Sequence, residues 1–271
     1  MESRSNGAMR LLVSVASSAE ASAAATGGAD VIDAKDPLAG ALGAVSPAVL
    51  RDIHAVVSPG RLLTAALGDA SDAPTTENAA HEFTVLGAAL VKIGFAGVGY
   101  RRRIGSLIEA GVRGCGRGGS TTAARGGVVA VAYADSDASA GVDRMTLIDI
   151  AARAGAVGVL LDTADKRGAG LTALCTLAEL SAWVAEAHGH RMFAALAGKL
   201  TAEDLEMVRD AGADIAGVRG AACEGGRMGR LSAERVRLLR ARLEGAGITG
   251  TPGGTRTASA SGSPLAGAAE R

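Results

Sequence analysis

Eight short apolar runs recur at intervals of about 30 residues along this chain of 271, and they constrain its fold more than any other feature. They are Met9–Ala16, Ala29–Lys35, Arg61–Gly68, Leu90–Ala96, Val128–Asp135, Val157–Thr163, Met192–Gly198 and Ala213–Gly220. Each is nearly continuous in apolar residues rather than alternating, as expected of parallel strands covered on both faces. Segments of helical periodicity lie between them. Ser17, Ser46, Thr201 and Ser232 stand where helices should begin, and glycines stand where they should end. Eight such units between about residues 9 and 246 predict one (β/α)8 barrel. An open doubly wound sheet is disfavoured, because no GxGxxG follows the first run.

Two terminal segments fall outside this frame. Residues 1–8 read as a short N-terminal extension, and residues 247–271, rich in Gly, Ser, Thr and Ala, read as a disordered tail. The stretch from Gly114 to Gly127 reads as a flexible connection entering the fifth strand. That places its glycines and arginines on the barrel face opposite the one used for chemistry, which favours a linker over a phosphate loop.

Composition narrows the function. The formal net charge is zero and aromatics are 2% of the chain, which leaves neither a basic footprint nor stacking residues for nucleic acid. No apolar stretch reaches the length of a membrane span. Cys115, Cys175 and Cys223 are odd in number and lack metal-ligand spacing, as do His54, His81, His188 and His190. The expectation is a cytoplasmic protein without metal or organic cofactor, its oligomeric state left open.

Against 24 arginines the chain has four lysines: Lys35, Lys92, Lys166 and Lys199. All four fall at or just beyond the end of an expected strand. In a composition that uses arginine wherever either cation serves, a retained lysine marks a need for an amine. A guanidinium cannot lose its proton, whereas an amine can become a nucleophile or a base.

An internal repeat adds to this. Gly28-Ala29-Asp30, Gly155-Ala156 and Gly212-Ala213-Asp214 open strands 2, 6 and 8, and seven residues after each glycine come Lys35, Asp162 and Arg219. Even-numbered strands fill a common layer, so the three should stand at similar heights near the barrel mouth. Asp33 shares the side of Lys35 because side chains alternate, and Lys92 on strand 4 can join them. Charges gathered there would be costly to bury for packing alone.

Lys35 is the best nucleophile candidate, with Asp36-Pro37 fixing a turn directly after it. The alternative is an inward lysine paired with Asp33 for stability. Lys92 suits proton transfer, or a pair with a neighbouring acid. Asp162 can orient a lysine or shuttle protons. Lys166 can bind phosphate or be solvated. Gly198 and Lys199 after strand 7, with Arg219, Gly220 and Ala221 after strand 8, occupy the usual phosphate position of such barrels. Asp69 and Asp135 face the mouth as loop caps or acids. Cys223 and Trp183 read as structural, and Arg101, Arg102 and Arg103 as a solvated run.

The strings Asp33-x-Lys35-x-Pro37-x-x-Gly40-x-Leu42-Gly43-Ala44 and Gly217-Val218-Arg219-Gly220-Ala221-Ala222-Cys223 resemble one family, the (5-formylfuran-3-yl)methyl phosphate synthases, as do LVKIGFAG and LLDTADKRG. The resemblance runs from about Met9 to Arg242. It implies a (β/α)8 barrel that joins two molecules of glyceraldehyde 3-phosphate into a furan aldehyde phosphate with loss of phosphate and water, in methanofuran or methylofuran biosynthesis. By motif it implies that Lys35 is the Schiff-base lysine and Lys92 the proton acceptor, with Asp33, Asp162 and Lys166 as the charged residues around them. A small phosphorylated triose is then the only partner required. Two other readings stay open: a class I aldolase or isomerase acting on another sugar phosphate, and an inactive barrel that binds a phosphorylated ligand.

Overall fold

A computed structural model describes residues 8–118, 126–135 and 142–245. The expected disordered tail, nearly all of the N-terminal extension and residues 119–125 of the expected linker lie outside the described residues. Eight parallel strands close on themselves in chain order. They are β1 (Arg10–Val15), β2 (Val31–Ala34), β3 (Leu62–Asp69), β4 (Leu90–Gly94), β5 (Gly127–Tyr133), β6 (Gly158–Asp162), β7 (Phe193–Leu196) and β8 (Ile215–Val218). Helices alternate with them: α1 (Ser18–Thr26), α2 (Pro47–Val56), α3 (Ala73–Val85), α4 (Arg101–Gly118), α5 (Arg144–Arg153), a single turn α6 (Leu171–Leu174), α7 (Leu177–Gly189), α8 (Asp204–Asp210) and α9 (Ala233–Leu243). Every strand of the sequence reading is present. No helix among the described residues is long and apolar enough to cross a membrane.

Closure makes two apolar layers. One fills the barrel, with Leu12, Val31, Val129, Val131, Leu160, Ala195 and Ile215 among its members. The other lies between strands and helices, where Leu50, Ile53, Ile104, Ile108, Ile148 and Trp183 are fully covered. This double burial is why the strands lack alternation.

The repeated Gly-Ala-Asp has a structural cause at the foot of the barrel. Gly28, Gly155 and Gly212 each take positive φ, the left-handed turn that releases a chain from a helix into the next strand. Asp30 then accepts the Leu11 N–H and Asp214 the Ala194 N–H, which satisfies the exposed starts of β1 and β7.

Two elements differ from the sequence reading. First, α4 continues through Cys115-Gly116-Arg117-Gly118, where the glycines suggested a linker. They are there for packing, since a Cβ on Gly114 would land on the Glu77 carbonyl of α3 and one on Gly118 would come to 2.9 Å of Thr84 Cβ. Second, the connection after β8 holds a two-stranded antiparallel ribbon, β9 (Cys223–Glu224) and β10 (Arg230–Leu231).

The packing reading of α4 gives a paired test. Gly114→Ala should cost about 1–3 kcal/mol through overpacking. Gly116 is exposed, and a Cβ there would meet nothing within 4 Å. Gly116→Ala should therefore gain about 0.5–1 kcal/mol of helix propensity. Urea denaturation midpoints of both variants check this.

Candidate active site

Strand register builds the floor of the site. Ser14, Asp33 and Thr64 are direct neighbours on β1, β2 and β3. Asp33 accepts from Ser14 Oγ at 2.9 Å and from Thr64 Oγ1 at 2.7 Å, and Lys92 Nζ reaches it at 2.5 Å from β4. The carboxylate has no solvent exposure. Three donors replace the water it has lost.

A second carboxylate, Asp162, ends β6. Its Oδ1 accepts from Thr163 N at 2.8 Å and from Lys166 Nζ at 2.5 Å. Its Oδ2 lies 3.7 Å from Lys35 Nζ. That separation is an ion pair but not a hydrogen bond. The sequence reading paired Lys35 with Asp33; in the structure Lys92 takes Asp33, and Lys35 turns to Asp162. A short aspartate is held by its lateral strand neighbours, so the lysine that meets it is the one whose longer stem crosses from another strand.

Burial shifts two of the lysines and their shared aspartate. Burial draws Lys35 down from 10.5 to about 8; Asp162 opposes the shift, while Lys92 and Lys166 add to it. Burial also lowers Lys166, against the pull of Asp162. For Asp162 burial acts upward, yet Lys35, Lys166 and the Thr163 N–H together hold it below the usual carboxylate range. Burial thus brings Lys35 toward its uncharged form.

Lys35, Lys92, Asp162 and Lys166 line one cavity of about 570 Å³, within the usual range for small-molecule sites. Asp33 sits behind Lys92. The cavity wall continues along Gly198, Lys199, Arg219, Gly220 and Ala221, the expected phosphate segment. Among the described residues, no loop or turn hydrogen bond uses the backbone N–H of Gly198, Lys199, Gly220 or Ala221. Gly198 at φ 111 and Lys199 at φ 57 turn the chain sharply there. The Lys199 ammonium is occupied: it donates to Gly168 O and ties the loop after β7 to the loop after β6.

Arg219 does not join the lysines as the repeat predicted. Its Nη1 and Nη2 grip both oxygens of Glu20 at 2.8 and 3.2 Å, Nη1 also donates to Ser14 O, and Nε donates to Arg227 O at 2.9 Å. A guanidinium fork with a carboxylate in reach takes it bidentately, and α1 supplies Glu20 at the strand end. Arg219 is therefore a buried tie joining β8 to α1 and to the ribbon loop, not a free phosphate ligand. Two cations that sequence reading missed also line the cavity: Arg227, between β9 and β10, and the exposed Arg235 on α9. The turn signal Gly225-Gly226 before Arg227 and Gly229 after it marked a hairpin, but nothing local aimed the hairpin at the mouth.

Several alternatives resolve by geometry. Asp135 accepts from Ala164 N and Asp165 N, and Asp69 accepts from Ala96 N and Tyr133 Oη, so both act as loop caps. Burial raises the Cys223 thiol above its ordinary value, which suits a structural role. Trp183 is buried in the packing layer, and Arg101, Arg102 and Arg103 are exposed. Among the described residues no group of three or more His, Cys, Asp and Glu could hold a metal ion.

The 4-HFC-P synthase family profile matches residues 11–240. The (5-formylfuran-3-yl)methyl phosphate synthase of Methanopyrus kandleri is 40% identical over 232 residues, covering 85% of this chain and 96% of that one. The chain belongs to this family. The synthase of Methanocaldococcus jannaschii is 36% identical over 235 residues, covering 86% of this chain and 98% of its own. Among solved structures, 3-hexulose-6-phosphate synthase from Salmonella typhimurium superposes with a TM-score of 0.61 at 16% identity, over 88% of this chain and 99% of that one. Deoxyribose phosphate aldolase from Aeropyrum pernix gives 0.59 at 15%, over 86% and 88%. At such identities the likeness is one of fold. Family membership makes this chain an enzyme of the (5-formylfuran-3-yl)methyl phosphate synthase type.

The tuning of Lys35 is testable without substrate. With its value at about 8, labelling of Lys35 by an amine-acylating reagent should rise about tenfold per pH unit below that point and level off above it. Asp162→Asn removes a charge that favours the ammonium, so the midpoint should move down. Residue-resolved mass spectrometry across a pH series checks both.

Proposed function

We propose that the enzyme condenses two molecules of glyceraldehyde 3-phosphate into (5-formylfuran-3-yl)methyl phosphate through an imine on Lys35. The observation that carries this is the inequality among three lysines in one cavity. Lys92 and Lys166 are paired with carboxylates at 2.5 Å, while Lys35 stands 3.7 Å from its aspartate and is drawn down to about 8. An amine so placed is ready to attack a carbonyl.

The neutral amine adds to one triose aldehyde and expels water as the imine forms. Lys92, coupled to Asp33, removes a proton from the adjacent carbon and leaves an enamine. The enamine carbon attacks the second aldehyde and forms the new C–C bond. Ring closure and eliminations follow, with release of the amine. Two trioses less one phosphoric acid and two waters leave the furan aldehyde monophosphate, so the atoms balance without any oxidation or reduction. Lys92 and Lys166 are balanced by Asp33 and Asp162, and Arg227 on the cavity wall adds a positive charge that favours a phosphate ester. The backbone N–H groups around Gly198 and Gly220 suit its phosphate. Asp162 and Lys166 orient Lys35 and carry protons to departing oxygens.

Incubation with glyceraldehyde 3-phosphate alone should yield inorganic phosphate and a six-carbon furan aldehyde monophosphate by mass. Unchanged substrate would put an aldolase or isomerase on another sugar phosphate in its place. Lys35→Arg should remove turnover and borohydride trapping while the circular dichroism spectrum is kept. Lys92→Arg should still trap the imine but lose about 10²–10⁴-fold in kcat.

A further inference from the structure

Two of the three arginines on the connection after β8, Arg219 and Arg227, line the cavity, and their surroundings are opposite. Arg219 is buried and neutralised by the two-point contact with Glu20. Arg227 is half-buried and lines the cavity, and no carboxylate among the described residues lies within ion-pair distance of it. What holds it is backbone. Its Nη2 donates to Gly40 O at 3.0 Å and, weakly, to Pro37 O at 3.5 Å, on the loop that follows Lys35. Its own carbonyl accepts from Arg219 Nε at 2.9 Å. A Cβ on Gly220 would come to 3.5 Å of its backbone nitrogen, so the ribbon loop lies close on the turn after β8. The chain is thus fixed on both sides of a guanidinium whose Nε and Nη1 have no partner among the described residues.

The position of that guanidinium matters. It spans from the β8 connection to the loop after β2, above the lysines, and its charge reaches Lys166 and Asp162 on β6. A cation with no carboxylate in ion-pair distance, partly desolvated and aimed into a cavity, suits a visiting anion. A condensation of two phosphorylated trioses brings two phosphates, and the backbone N–H groups after β7 and β8 can hold one. Resting on that two-triose reading, we propose that Arg227 forms a second phosphate subsite, which holds the triose that does not become the imine. Its free Nη1 and Nε donors can each meet a phosphate oxygen, and a permanent charge suits a phosphate ester. Arg219 and Glu20 are positioning residues for this subsite, since they fix the Arg227 carbonyl rather than touch the ligand.

The test is a titration of the whole chain with inorganic phosphate, followed by calorimetry, on wild type, Arg227→Gln and Arg227→Lys. Wild type should take up two phosphates. Arg227→Gln should take up one, at the affinity of the remaining site, with the fold kept by circular dichroism. Arg227→Lys should keep two, the second weakened about 10-fold by loss of the fork. With glyceraldehyde 3-phosphate, Arg227→Gln should raise KM about 10–100-fold. Borohydride trapping at Lys35 should be unaffected in that variant, because the imine-forming triose sits in the other subsite. A single phosphate site in the wild type, or two sites that both survive Arg227→Gln, would overturn the proposal. Failure of the wild type to make the furan product would sink the two-triose reading instead, and the phosphate stoichiometry would still decide whether Arg227 is an anion ligand.

Discussion

Asp33 is a carboxylate without solvent, and the site is organised around keeping it there. Removing such a group from water costs several kcal/mol even after relaxation, so each of its oxygens must find donors. Register supplies two hydroxyls, from Ser14 and Thr64, and a lysine supplies the third. Asp162 meets the same demand with Lys166 and the Thr163 N–H. Two aspartates thus engage two of the three lysines closely, and the third is left with a looser contact. Lys35 is that third amine. The shortage of carboxylate therefore leaves one amine loosely held and open to losing its proton.

The scaffold keeps this imbalance from relaxing. Lysines are flexible, and a loose mouth would let Lys35 find a second acceptor or water. Here the pairing of β1, β2 and β3 fixes the Asp33 row, and Asp135 and Asp69 accept backbone N–H groups of the loops that frame the mouth. The Arg219–Glu20 fork closes β8 onto α1, and through the Arg227 carbonyl it also sets the ribbon loop. Held this way by strand ends and caps, the charged groups keep their geometry better than they would on free loops.

The architecture was legible from the residues because its signals are local. Continuous apolar runs, capping serines and the left-handed glycines Gly28, Gly155 and Gly212 act within a few residues of where they stand. Lys35, Lys166 and Lys199 were legible for a similar reason, since they follow strand ends at the mouth; Lys92, expected at a strand end, instead stands in the middle of β4 and reaches the site from inside the barrel. The glycines of α4 misled because a glycine that permits a turn and one that permits close packing look alike until the neighbouring helix is in place.

By itself, then, the sequence determined the eight-fold alternation, the ends of the strands and the amines gathered there, since these follow from periodicity and spacing along one segment. The tertiary structure alone decided the partners. Asp33 went to Lys92 rather than Lys35, Arg219 went to Glu20 across 199 positions, and Arg227 was brought over the lysines by a ribbon fixed at its carbonyl. Partner choice among charges depends on which side chains reach one another after the barrel closes, and on which carboxylate is already satisfied. Neither condition exists before the chain has folded.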